Sequence, residues 1–341
     1  MVFDSFVILH EDMSRERFDL IETYGARVIK TPGCESNVKE IYDKCKELRQ
    51  SDPKKIRILN QFEVMGNYKF HYYVTGNTMA DLAKELGKKG IGNGRVAAVT
   101  SAMGSAGTIA CGDRVKQVFP ETRIVGLEPI QCPTLYNNGY GGHDIQGIGD
   151  KHVTWIHNVM NMDALMCIDD MECKQGLQLL TDPVGMKCLR NGLKISEATV
   201  KKLSEVFGIS GVCNVLGAIK AAKHYGLKKG DNVFTIATDS IDRYGSVMEA
   251  LNKRYGKMDE AEAHARTRAI FQGVKLDYVQ EGTTENRRRW HNLKYYTWVE
   301  QQDKSVAELN AQLDPAWWES HQKSIPQVDK MLLEYRKKSS R

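Results

Sequence analysis

Between Val96 and Phe119 the chain carries an arrangement suited to holding an anion. An alternating stretch, Val96 to Thr100, leads into Gly104-Ser105-Ala106-Gly107-Thr108 and then into an apolar-periodic segment, Ile109 to Phe119. A buried strand, a tight turn of small residues and a helix start let backbone N–H groups close on a phosphate. The helix N-terminus adds unpaired donors and a favourable dipole. The hydroxyls of Ser105 and Thr108 are further donors. The turn lacks the first glycine of a dinucleotide fingerprint and the Gly-Lys-Ser/Thr ending of a P-loop, so it offers a cradle for one phosphate. Taken alone, the same loop is equally a plain strand-to-helix turn.

The elements around it alternate. Ser5 to Leu9 reads as a strand. A helix follows, with Ser14 as N-cap, Phe18, Ile21 and Tyr24 on one face, and Gly25 at the left-handed C-terminal position. Ala26 to Ile29 is the next strand. A helix over about Glu35 to Arg49 carries one stripe of Val38, Ile41, Tyr42, Cys45 and Leu48. Ile56 to Leu59 reads as a strand and Tyr72 to Leu86 as a helix. After the cradle come strands at Arg123 to Leu127, Ala164 to Ile168 and Val233 to Thr238, and helices at Glu197 to Phe207 and Val215 to Tyr225. This alternation predicts an α/β fold with a parallel sheet covered by helices. From about Lys253 charged and aromatic residues dominate, with helices expected near Asp259 to Gln272 and Val306 to Leu313. That stretch reads as a helical appendage on the body or on a partner subunit.

Composition narrows the class. A chain of 341 residues is long enough for a large core or two domains. No apolar run reaches the ~20 residues needed to span a bilayer. No basic, apolar and small-residue succession opens the N-terminus, so no secretory leader is expected. The eight cysteines are scattered, with no Cys-x-x-Cys and no metal-ligand spacing, and read as reduced cytoplasmic thiols. Residues 251–341 hold 17 Lys and Arg against 13 Asp and Glu, nearly the whole net charge of +5. Arg287-Arg288-Arg289-Trp290 is the one basic-aromatic run, too short for a nucleic-acid stripe, and reads as a solvated or salt-bridged helix face.

Four ordered motifs, with a fifth near the start, carry a resemblance. They are Gln61-Phe62 with Asn67, His71 and Thr75-Gly76; Gly104 to Thr108; Ile145-Gln146-Gly147-Ile148-Gly149; and Asp239-Ser240-Ile241-Asp242-Arg243-Tyr244. Met13-Ser14-x-Glu16-Arg17 with Tyr24-Gly25-Ala26 precedes them. Over about residues 5–250 the chain resembles the fold-type-II pyridoxal-phosphate enzymes of the cysteine synthase and cystathionine β-synthase family. The resemblance implies a doubly wound, mostly parallel sheet of the tryptophan synthase β kind. It implies a partial cofactor-side domain over 1–100, a larger cofactor-binding domain over 101–252 and a helical extension over 253–341. It also implies pyridoxal 5'-phosphate as cofactor. Backbone amides of Gly104, Ser105, Ala106, Gly107 and Thr108 would hold its phosphate, and Gly147 and Gly149 would approach its face. Ser210 would meet the pyridine nitrogen, with Ser240 the alternative. Gln61 would meet the carboxylate of a small amino-acid substrate. By themselves Gln61 fits a strand-end cap and His71 a packed helix-start histidine.

The chain also departs from the family. The Schiff-base lysine in its Ser-x-Lys setting and the Ser-Gly-Asn-Thr-Gly loop belong ahead of the first strand, and neither occurs in this sequence, so no catalytic residue is assigned and the fold reads as N-terminally incomplete. Gly211-Val212-Cys213 stands where the family has Ser-Gly-Ala. The Pro183-Val184-Gly185 and Asn191-Gly192 turns read as an inserted loop near the cofactor mouth. Two readings follow: a β-replacement or β-elimination enzyme completed by a longer chain or a partner, or a lysine-less binding or regulatory relative. A homodimer or a complementing N-terminal subunit is the expected assembly, with no nucleic-acid, membrane or metal partner.

Overall fold

Apolar strands divide between two sheets of unequal cover. The computed structural model describes residues 4–34 and 36–339. β1 (Phe6–His10) and β2 (Arg27–Thr31) pair in parallel through α1 (Arg15–Thr23) and form a two-stranded sheet. Gly25, at φ +81°, turns the chain out of α1, a backbone that residues with a Cβ rarely adopt. Tyr24 does not join the apolar face of α1; it is 82% exposed, because the helix ends before it. α2 (Lys39–Ser51) packs on this pair, starting later than its pattern indicates. The expected start at Glu35 lies outside the described residues.

Ile56 to Leu59 is not a strand. No neighbouring strand pairs with it, Arg57 turns back onto the carbonyls of Pro53 and Ile56, and Leu59 is solvent-exposed. The following helix starts before Tyr72. α3 (Met65–Phe70), a wider π-type turn at His71–Thr75 and α4 (Gly76–Lys88) make one run, with Tyr68 and Tyr72 buried.

β3 (Ala98–Ala102), α5 (Ala110–Val118), β4 (Arg123–Pro129), the short α6 (Thr134–Asn137) and β5 (Ala164–Ile168) form the centre of a second, five-stranded sheet. β3 and β5 are buried along their whole length, as expected of strands covered on both faces. The loop expected from the Pro183-Val184-Gly185 and Asn191-Gly192 turns is instead helical, with α7 (Asp170–Thr181) and α8 (Pro183–Leu193), and α9 (Glu197–Val206) follows as its pattern indicates. The Asp182 side chain accepts from the Val184 amide and Pro183 occupies the first turn, so Pro183-Val184-Gly185 starts a helix. α10 (Ile209–His224) begins at Ile209 rather than Val215, and β6 (Val233–Phe234) keeps only the first two residues of its predicted strand. α11 (Gly245–Tyr255) closes this region.

The C-terminal stretch is not purely helical. α12 (Glu260–Arg266) continues into a π-type turn at Thr267–Gln272. β7 (Val279–Glu281) then pairs antiparallel with β5, giving the strand order β6-β3-β4-β5-β7. α13 (Thr284–Asn292), α14 (Lys294–Trp298), α15 (Val306–Ala311), α16 (Pro315–Lys323) and α17 (Ile325–Ser339) follow. Tryptophans fasten this part to the body. Trp290 enters the cluster of Met103, Ile109 and Leu165, Trp298 packs with Tyr42 and Trp155, and Trp318 packs with Tyr68. Fully buried Lys294 donates to the carbonyls of Trp155 (3.1 Å) and His157 (2.7 Å) and to Gln312 Oε1 (2.6 Å). Burial pushes its ammonium well below the usual lysine range. Of the basic run, Arg287 binds Asp163 and Arg289 binds Gln280 and the Tyr136 carbonyl. The cysteines are all free. Among the described residues no single helix is long and apolar enough to cross a membrane.

Candidate functional site

The cradle residues leave the C-terminal end of β3, where parallel strands offer their ligand crevices. Met103 N donates to the Leu127 carbonyl, and the chain then turns through residues 104–108 into α5. The amides of Gly104 and Ala106 donate to no acceptor within the described chain. Ala106 is buried with φ +61°, the left-handed region. A side chain there is strained by about 1 kcal/mol, and such strain persists only where the surroundings hold it.

Four hydrogen bonds set the shape of the turn. Asn67 Nδ2 donates to the Gln61 carbonyl and to Ser105 Oγ, both at 3.0 Å. Thr154 Oγ1 donates to the Ser105 carbonyl at 3.0 Å. Ser101 and Thr108 hydroxyls meet at 2.7 Å. A Cβ on Gly107 would lie 2.2 Å from Asn67 Oδ1, and one on Gly104 would lie 2.8 Å from the Gly147 carbonyl. Both glycines are therefore demanded by close approach. Gly149 N donates to the Met103 carbonyl at 2.8 Å, which lays Gly147-Ile148-Gly149 against the loop.

The other assigned residues surround this point to different degrees. The Gln61 side chain is exposed, and its backbone carbonyl is tied to the turn through Asn67. Ser210 is buried at the start of α10, its hydroxyl 2.6 Å from Thr238 Oγ1. Thr238 itself is exposed. Ser240 is half-buried and donates to Asp242, so its hydroxyl serves its own short turn. His71 Nδ1 lies 3.0 Å from Thr75 Oγ1, and burial holds the imidazole below its usual pKa, as for a packed helical histidine.

Two groups join the motifs. Asn214, one turn beyond Ser210, accepts from Ala102 N at 2.7 Å and donates to the Ile236 carbonyl at 2.8 Å. Arg17 donates to Asp239 (3.1 Å), Tyr244 Oη (2.7 Å) and Gln146 Oε1 (3.4 Å). Burial, with the Asp239 carboxylate adding to it, drives the Tyr244 hydroxyl far above its usual pKa, so it stays a donor, bonded to Asp239 at 2.7 Å. Beside it, Glu16 accepts from the amide and hydroxyl of Ser246 at the head of α11. Asn214 and Thr154 were not legible in the sequence. Neither belongs to a spaced motif, and only Asn214's helical offset from Ser210 hints at its role.

The family described as pyridoxal-phosphate dependent enzyme matches residues 2–188, more than half of the sequence. The chain belongs to the pyridoxal-phosphate dependent enzyme family. Within it, the chain is similar to cysteine synthases. It is 27% identical over 239 residues to that of Staphylococcus aureus strain N315, covering 69% of this chain and 66% of the relative. It is 26% identical to cysteine synthase B of Campylobacter jejuni over 238 residues, covering 70% and 68%. It therefore spans just under two thirds of the Staphylococcus enzyme's length. Among solved structures, the O-acetylserine dependent cystathionine β-synthase of Helicobacter pylori is 25% identical with a TM-score of 0.53, over 71% of this chain and 69% of that one. A hydrogen sulfide-producing enzyme of Fusobacterium nucleatum shares the fold at 23% identity and a TM-score of 0.59, over 77% and 70%.

The family's cofactor suits the residues present. A phosphate fits a turn that combines unpaired amides at Gly104 and Ala106, two glycines at contact distance from their neighbours, and the N-terminus of α5. Lys151, just beyond the Gly147–Gly149 segment, donates to Asn37 Oδ1 and lies 3.9 Å from Cys34 Sγ.

Proposed function

We propose that this chain is the phosphate-holding part of a cysteine synthase-like enzyme acting on a serine- or cysteine-type amino acid by β-replacement or β-elimination. The segment bearing the Schiff-base lysine would come from a longer natural chain or a separate subunit. The observation that carries the proposal is the set of unpaired amides at the turn before α5, beside glycines that admit no side chain. When bound, pyridoxal phosphate supplies an electron sink for bonds at the substrate's α-carbon. The chain's residues do the rest. Gly104 to Thr108 orient the phosphate through main-chain donors. Asn67 and Thr154 hold that turn in shape. Gln61, carried on the same bonded segment, offers a carboxamide to a substrate carboxylate. Ser210 presents a neutral hydroxyl, with Thr238, to the ring side of the site.

A second reading is a lysine-less binding or regulatory relative. It is favoured by the sequence itself, in which no Ser-x-Lys motif occurs. One experiment separates the two. Pyridoxal phosphate is added to the purified chain, with and without a recombinant family segment carrying Ser-x-Lys and Ser-Gly-Asn-Thr-Gly, and the visible spectrum is recorded. A band near roughly 410–430 nm that appears only with the segment supports the enzyme reading. Phosphate-competed binding with no band under either condition supports the regulatory one. No binding at all overturns both.

A further inference from the structure

Where the C-terminal stretch meets α5, the two enclose a cavity of about 270 Å³ that shares no lining residue with the cradle. Asp113, Asn158, Asn161, Leu313, Pro315 and Glu319 are among its walls. Asp113 is its buried end, 5% exposed, and Glu319 its exposed end. Hydrogen bonds around it run one way. Tyr72 Oη donates to Gln117 Oε1 (2.6 Å), Gln117 Nε2 to Gln322 Oε1 (3.0 Å), Gln322 Nε2 to Tyr68 Oη (2.9 Å) and Tyr68 Oη to Asp113 Oδ2 (2.7 Å). Asn158 Nδ2 reaches the same oxygen at 2.8 Å, and Asn161 Nδ2 reaches Asp113 Oδ1 at 2.6 Å. All three bonds to Asp113 are donated to it, the arrangement of an ionised carboxylate. Burial nonetheless raises its pKa above the ordinary value, and these donors offset that only in part. Among the described residues no cation forms an ion pair with Asp113. Lys116, nearly one turn on in α5, gives its ammonium to Asp163 at 2.8 Å. A buried carboxylate without a counter-ion is costly, and a cation beside it removes that cost.

We propose that this cavity binds a small aliphatic ammonium ion, its N–H groups taken by Asp113, Asn158 and Asn161 and its carbon chain laid along Leu313 and Pro315. The donor set decides the class. With each Nδ2 turned to Asp113, Asn158 Oδ1 and Asn161 Oδ1 are acceptors that receive no hydrogen bond within the described chain. An ammonium group has three donors and no acceptor, the complement of such a lining. An anion would meet the carboxylate, and a neutral alcohol would leave its charge uncompensated. Glu319 at the open end suits a second ammonium, which makes an aliphatic diamine the best match. Its present partner, Lys323 at 2.8 Å, is an exposed pair of the kind that exchanges at little cost. The inference is independent of the cofactor reading, because none of the groups it uses belongs to the cradle.

Isothermal titration of the full chain with 1,4-diaminobutane, at neutral pH and low salt, tests it. The expected result is saturable binding at one site, with no heat from 1,4-butanediol, which has the same carbon chain and no charge. Asp113→Asn should weaken diamine binding about tenfold or more, and Glu319→Gln about threefold, since the latter group is exposed. Leu313→Trp fills the cavity without touching the hydrogen-bond chain, so it decides the matter if Asp113→Asn fails to fold. It should abolish diamine binding and leave pyridoxal phosphate binding unchanged. The proposal is overturned by absence of diamine binding, by butanediol binding equally well, or by diamine binding indifferent to Leu313→Trp. Potassium ion that displaces the diamine and binds in its place also overturns it, and assigns the acceptors to a metal cation.

Discussion

The two sheets differ in how their strands are covered, and the difference shows which one is packed on both faces. In the five-stranded sheet, β3 and β5 are buried end to end, with helices on both faces. In the two-stranded sheet, β1 and β2 are as apolar in sequence, yet Val7, Ile8, Leu9, Val28 and Ile29 are only half-buried. The cradle hangs from the covered sheet. The half-covered sheet carries no cradle residue and keeps apolar surface open along Val7, Ile8, Leu9, Val28 and Ile29. A sheet with one packed face and spare apolar surface accepts a further element without rebuilding, whereas a sheet packed on both faces does not.

Core truncation should break the comparison most visibly. Leu127→Ala, in the fully buried core of β4, is expected to destabilise by about 3 kcal/mol in urea denaturation. Ile8→Ala in β1 should cost only about 1 kcal/mol in the chain alone, because less surface returns to water. If a complementing segment covers β1, the Ile8→Ala penalty should rise when that segment is present. Equal penalties for the two variants in the isolated chain would remove the contrast.

Two carboxylates sharpen it with opposite pH dependence. Burial lifts Glu128 in β4 to about 7, although the amides of Leu135 and Tyr136 lower it in part. Its folded value stands above the ordinary 4.5, so stability is greatest below that value and declines as pH rises through about 7. Glu128→Gln should flatten this decline, on the order of 2 kcal/mol between about pH 5 and 7. For Glu16, partial burial acts upward but the bonds from Ser246 outweigh it, so the carboxyl sits below its ordinary value. Its contribution is present above the unfolded value and is lost as pH falls. Glu16→Gln should thus soften the acid limb and leave the neutral range unchanged, as read from denaturation midpoints across pH.

Smaller effects belong to the cradle. Gly107→Ala places a Cβ against Asn67 and should dislodge that side chain from Gln61 and Ser105. Pyridoxal phosphate binding, followed by tryptophan fluorescence, is expected to weaken about tenfold, or about 1.4 kcal/mol. Ile8→Ala should leave it unchanged. Ala106→Gly relieves the left-handed backbone but adds freedom to the unfolded chain, for a net gain of about 0.5 kcal/mol in thermal unfolding.

The turn at Gly104 to Thr108, the alternation of strands and helices and the ordered motifs were legible because each rests on local rules: small residues at a tight turn, and periods of two or 3.6. Ala164 to Ile168 is a strand with the limits its pattern indicates. The misreadings came where pattern lacked a neighbour or concealed a cap. Ile56 to Leu59 alternates like a strand but has no partner, and Pro183-Val184-Gly185 resembles a turn until Asp182 caps it into α8. The aromatic tail gave no sign that it would add β7 to the sheet, because three residues carry no usable period.

Sequence alone determined the family, the small-residue turn at Gly104 to Thr108 and the residues with hydroxyl, carboxamide and guanidinium chemistry, since these depend on residue type and short spacing. Only the tertiary structure decided that Asn67 and Thr154 hold the turn at Gly104 to Thr108, that Asn214 ties β3 to the segment after β6, that Arg17 joins its own motif to those at Gln146 and Asp239–Tyr244, and that Lys294 fastens the tail. Those partnerships span tens to hundreds of residues. They form because buried donors and acceptors must be paired within whatever neighbourhood the packing creates.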